Sequence, residues 1–91
     1  MTIFVDIDGT ICTQEINYGN AKPISENISK INKLFDEGNF IVYWTARGQS
    51  SCIDWRETTE NQLKKWGCKY NSLRLDKPGF DLLYDDKAMK L

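Results

Sequence analysis

Ile3-Phe4-Val5-Asp6-Ile7-Asp8-Gly9-Thr10 decides how the rest of the chain is read. Its first half is a near-continuous apolar, β-favouring run, the pattern of a parallel strand covered on both faces. Its second half does not fit a core. Asp6 and Asp8 are one residue apart and point the same way, with no cation beside them in sequence. Two such carboxylates are too costly to keep together unless a metal or a lysine neutralises them. The remaining sequence is therefore searched for that partner.

The 91 residues suffice for one domain with one core, spanning 1–91, and leave no room for a separate lid domain. A hydrophobic content of 41% argues for a globular fold. Formal net charge is −1 with acids and bases interspersed, which excludes a broad basic surface and disfavours nucleic acid as a partner. Cys12, Cys52 and Cys68 are odd in number and widely spaced, which argues against a disulfide framework or zinc site and suits a reducing cytoplasm. No stretch has the length of a membrane span or the pattern of a signal peptide, so a cytoplasmic protein is expected. With no histidine, Ser-His-Asp and Cys-His nucleophile systems are excluded.

Outward from the opening strand, residues 10–23 carry turn signals and no helical period, and read as a loop or small hairpin. A helix follows, with Ser25 as N-cap, Glu26 in its first turn, Ile28, Ile31, Leu34 and Phe35 on one face, and Gly38 just past its end. Phe40–Trp44 is a second buried-type strand. A second helix is expected from Ser51, with Asp54 completing a capping box, Trp55, Thr59, Leu63 and Trp66 on one face, and Gly67 as its stop. A short strand is expected over Tyr70–Leu75 and a last one over Phe80–Tyr84. Alternating strands and helices imply α/β architecture with a parallel sheet of about four strands.

Ligands bind such sheets outside the carboxyl ends of the strands, near the point where strand order reverses. Asp6 and Asp8, then Thr45, Ala46 and Arg47, then Asp85 and Asp86 all fall just past a strand's carboxyl end. In this order, Asp6-x-Asp8-Gly9-Thr10, Thr45, Lys77 and Asp85-Asp86 resemble the four motifs of the haloacid dehalogenase superfamily. The likeness spans residues 3–88 and is greatest to small capless phosphatases. Lys77-Pro-Gly-Phe-Asp-Leu-Leu-Tyr-Asp-Asp-Lys-Ala88 is similar to the ending of short members associated with capsule and surface-polysaccharide biosynthesis.

That resemblance implies a minimal three-layer α/β/α Rossmannoid fold without a cap. It also implies a magnesium-dependent phosphoric monoester hydrolase. Asp6 would be the nucleophile, since an ionised carboxylate can form an acyl phosphate. Asp8 would be the acid and base, its pKa raised by neighbouring charges. Asp6, the Asp8 carbonyl and one of Asp85 and Asp86 would hold Mg2+ through oxygen. Thr45 and Lys77 would grip the phosphoryl group, and amides around Gly9 and Thr10 would add donors. Ala46 and Arg47 would also face the substrate, a small phosphate ester such as a sugar phosphate.

Two rival functions stand beside this one: a nucleic-acid end-processing phosphatase, and a non-catalytic module that binds magnesium or phosphate. The short chain and open site also suggest a homo-oligomer. Set against these roles, Arg47 reads equally well as an exposed or dipole-facing arginine, while Trp44, Trp55 and Trp66 read better as core and Cys12 as a small buried thiol.

Overall fold

The computed structural model describes residues 1–48 and 53–77, and shows an α/β protein built on a three-stranded parallel sheet. The strands are β1 (Thr2–Val5), β2 (Phe40–Trp44) and β3 (Ser72–Arg74). Helix α1 (Ser25–Asp36) joins β1 to β2, and α2 (Arg56–Lys65) joins β2 to β3. Sheet order is β1-β2-β3, with Val5 level with Tyr43 and Trp44 level with Arg74. The expected fourth strand, Phe80–Tyr84, with Asp85 and Asp86, lies outside the described residues. Among those described, the strands run in chain order, so no reversal of strand order occurs.

Two crossovers of one hand that advance the same way place both helices on one face of the sheet. The core follows from that. Val5, Ile41 and Tyr43 from the strands meet Ile28 and Ile31 of α1 and Leu63 of α2 in one cluster, with Ile7, Ile11 and Cys12. Complete burial of a side chain such as Leu63 is worth roughly 1.5–3 kcal/mol. On the opposite face Phe4 and Phe40 are half-exposed, and Phe4 meets Trp44 edge-on at 5.4 Å. Val42, on that same face in the central strand, is buried, while the two described helices pack on the other face.

Element ends also differ from expectation. Ser25 is the first residue of α1 rather than its cap. Ile24 takes the cap position without a side-chain hydrogen bond. Glu26 stands in the first turn and Gly38 adopts φ +96° just past the end, as the sequence suggests. Helix α2 begins at Arg56, not near Ser51, because the Asp54 carboxylate accepts the Arg56 N–H at 3.0 Å and ends the incoming loop there. Ser51 itself is outside the described residues. Strand β3 is shorter than Tyr70–Leu75. Asn71 exchanges bonds with Ile41 through its side-chain oxygen as well as its N–H, which displaces the regular ladder. Asn32 of α1 ties off the end of α2, donating to the Gly67 carbonyl and accepting from the Lys69 N–H.

The turn after β2 depends on Gly48, at φ +85°, where an added Cβ would collide with the Ile53 carbonyl oxygen. At Gly38 the φ is similarly positive but the space is open. Gly38→Ala is therefore expected to cost about 1 kcal/mol and Gly48→Ala about 3 kcal/mol. Urea unfolding monitored by circular dichroism reads the difference.

Candidate active site

Beyond Val5 the chain leaves the sheet and turns sharply. Thr10 and Ile11 both donate N–H to the Ile7 carbonyl, and Gly9 donates to that of Cys12 with φ +82°. This turn buries Ile7 completely between two carboxylates. Asp6 and Asp8 were expected to point the same way and to be neutralised jointly by Lys77 and a metal. Each has a partner of its own instead.

Asp6 faces Lys77 across a 3.3 Å gap, and its Oδ1 also accepts the Ile7 N–H at 3.0 Å. Lys77 is placed there because the chain past β3 continues alongside β2, where the Thr45 N–H donates to the Arg74 carbonyl at 2.9 Å and the Lys77 N–H to the Thr45 carbonyl at 3.2 Å. Its ammonium lies 5.8 Å from the centre of the Trp44 ring. The Asp6 side chain keeps 45% of its exposure and that of Lys77 17%, so the pair is open to an incoming anion.

Asp8 is gripped by Arg47. Nε–H donates to Oδ2 at 3.0 Å and Nη2–H to Oδ1 at 2.8 Å, the parallel fork that suits a carboxylate. Nη1 donates to the Thr59 hydroxyl at 3.1 Å and to Gln62 Oε1 at 2.6 Å, and Nη2 also points at the Cys12 sulfur at 3.8 Å. All five donors of the guanidinium thus have partners. The Arg47 side chain has no exposure and that of Asp8 has 13%. The Tyr18 ring closes over the guanidinium at 4.8 Å. Expected to face the substrate, Arg47 points inward at Asp8 instead, since a wholly buried cation needs a full set of acceptors.

Other expected site residues are distributed less favourably for phosphate. Thr45 is buried, and its hydroxyl accepts the Arg47 N–H at 3.2 Å. The Gly9 and Thr10 amides, expected as phosphate donors, are engaged inside their own turn. Ala46 is half-buried beside Arg47. Gln62 and Thr59 were not assigned to the site from sequence. The signal that could have found them is that a charged Arg47 next to a buried strand needs acceptors from the adjoining helix.

For a metal, the described donors are the half-exposed Asp6 carboxylate and the Asp8 main-chain carbonyl, because Arg47 occupies both carboxylate oxygens of Asp8. An all-oxygen set suits a hard divalent cation. Among the described residues no third carboxylate, thiol or imidazole joins them.

The class defined by these observations is a small α/β protein with two carboxylates, an arginine and a lysine gathered at the carboxyl edge of its parallel sheet. No family model and no curated protein matches the chain. A crystal structure of a target protein from Vibrio cholerae is similar, with a TM-score of 0.85 and 25% identity over 98% of this chain and 82% of that one.

Two expectations follow. Asp8→Ala leaves Arg47 buried without a counter-charge and should cost about 3 kcal/mol. Arg47→Met leaves a carboxylate that reaches solvent and should cost less, an ordering read from urea midpoints. The second concerns alkaline pH. Burial first, then the Asp8 charge, pushes the Cys12 thiol up to about 12, and burial pushes Cys68 up to about 11. Burial and then the neighbouring Cys68 also raise the Tyr43 phenol. The unfolded chain releases these protons from about pH 9 while the native state holds them. Stability should therefore fall as pH rises above 9, and native Cys12 should resist iodoacetamide at pH 8.

Proposed function

We propose that this protein is a capless phosphatase of the haloacid dehalogenase superfamily, hydrolysing a small phosphate monoester with magnesium. The observation that carries this reading is the ordered pair at the end of β1: Asp6, half-exposed and 3.3 Å from Lys77, and Asp8, held by a buried arginine. One carboxylate is available to attack and the other is fixed beside it. The superfamily's four-stranded, three-layer fold is part of the proposal, with Phe80–Tyr84 as the added strand. So are a cytoplasmic location, a homo-oligomeric state and a sugar phosphate of polysaccharide biosynthesis as substrate.

An Asp6 carboxylate oxygen attacks phosphorus, and the bond from phosphorus to the ester oxygen breaks. Asp8 gives a proton to the departing alcohol, a role that requires one of its oxygens to leave the Arg47 fork and carry that proton. Water then attacks the aspartyl phosphate, Asp8 takes the proton back, and phosphate leaves with Asp6 restored. Lys77 screens Asp6 from the anionic substrate and stabilises charge on the phosphoryl oxygens. Asp6 and the Asp8 carbonyl, with a carboxylate from Asp85 or Asp86, would hold Mg2+, which supplies charge neutralisation for the phosphoryl group.

Release of phosphate from p-nitrophenyl phosphate and a sugar-phosphate panel is expected with magnesium and should vanish on chelation. Asp6→Asn should lower kcat on the order of 10³-fold or more. Full activity in that variant would remove Asp6 as the nucleophile.

A further inference from the structure

The loop between β1 and α1 is not a free flap. Its base is closed by Thr13 and Lys22, the Thr13 N–H donating to the Lys22 carbonyl at 2.8 Å and the Lys22 N–H to the Thr13 hydroxyl at 2.9 Å. Its outer part is a short 3-10 turn over Tyr18–Asn20, with Asn17 accepting the Gly19 N–H at 2.9 Å and Ala21 donating to the Tyr18 carbonyl at 3.1 Å. One side chain joins this turn to the interior. Gln62 of α2 accepts from Arg47 through Oε1 at 2.6 Å and donates through Nε2 to the Tyr18 carbonyl at 2.7 Å.

The chemistry of the partners fixes that amide's orientation. A guanidinium only donates and a carbonyl only accepts, so the oxygen of Gln62 must face Arg47 and its nitrogen must face Tyr18. The Tyr18 ring packs on the same guanidinium at 4.8 Å and meets Trp55 edge-on at 5.0 Å. Loop, helix and Asp8 therefore share one polar network: Tyr18 carbonyl, Gln62, Arg47, Asp8. If the loop lifts, Gln62 loses its acceptor and the fork on Asp8 loses a neighbour that helps align it.

We propose that Gln62 is a positioning residue that ties the loop around Tyr18–Asn20 to the Arg47–Asp8 pair, so that the seating of the loop and the orientation of Asp8 are set together. Gln62 touches neither Asp6 nor Lys77 in this network. Its effect on turnover rests on the phosphatase reading, whereas the tether itself does not.

Gln62→Leu removes both bonds at similar volume, and Gln62→Glu keeps the acceptor for Arg47 while removing the donor to Tyr18. By NMR hydrogen exchange, the Ala21 amide should exchange at least ~10-fold faster in both variants, with α1 amides unchanged. The Arg47 Nε–H resonance should move in Gln62→Leu. In kinetics, kcat for an alkyl phosphate should fall at least ~10-fold further than kcat for p-nitrophenyl phosphate, because nitrophenolate departs without a proton from Asp8. Unchanged Ala21 protection, or an unmoved Arg47 resonance in Gln62→Leu, overturns the proposal. Equal losses on the two esters overturn its link to Asp8. A wild-type protein inactive on every ester sinks the phosphatase reading, and the exchange and resonance data then decide the tether alone.

Discussion

A buried arginine that satisfies all five of its donors is the constraint on which the rest of this structure depends. Arg47 cannot be moved or left unpaired cheaply, because an isolated charge in the interior costs several kcal/mol. Its acceptors come from separate parts of the chain: Asp8 from the turn after β1, and Thr59 and Gln62 from α2. Meeting those demands fixes where α2 packs and how the turn at Gly9 is drawn. Such pairs add little net stability compared with an apolar core, but they penalise every arrangement that leaves the cation without acceptors.

The sheet makes this arrangement available. Val5 is level with Tyr43, so β1 and β2 end side by side and the segments carrying Asp8 and Arg47 leave from the same edge of the sheet. Adjacent parallel strands deliver their trailing residues to the same edge, and the glycines at 9 and 48, both at positive φ, let both trailing segments turn there. Lys77 arrives by a different route, from β3 alongside β2, and its main chain is fixed by the Thr45 carbonyl before its side chain extends to Asp6. Two cations thus reach two carboxylates from two different strands.

Much of this was legible in the sequence. Apolar runs at Ile3–Val5 and Phe40–Trp44 announce strands, and the 3.6-residue spacing of Ile28 and Ile31 announces α1. Glycines 38 and 67 mark where the helices stop. What was not legible follows from side chains that replace backbone. The Asp54 carboxylate takes the Arg56 N–H just before α2, and Asn71 substitutes its side-chain oxygen for a ladder acceptor where β3 would otherwise begin. Pairing Asp6 with Lys77 could be anticipated from the resemblance. The inward turn of Arg47 could not be read from the order of motifs, because it depends on the register between β1 and β2 and on which face of α2 carries Thr59 and Gln62. Composition cannot say whether an arginine after a strand meets a substrate or a neighbouring carboxylate. Only the count of acceptors around it can.

The division between the two cations bears on what the edge can attract. Asp6, Asp8, Arg47 and Lys77 together carry no formal net charge. Arg47 and most of Asp8 are withdrawn from solvent, so an approaching anion meets chiefly the half-exposed Asp6 with Lys77 beside it. A phosphate dianion gains little from a pair that is already neutral, and the Asp6 oxygens repel it. In the proposed reaction Asp6 would need positive charge beyond that of Lys77 to meet such a substrate, and this is what the proposed Mg2+ would supply. The burial of Arg47 thus strengthens the case for a metal: an arginine committed to Asp8 is unavailable to neutralise the phosphate itself.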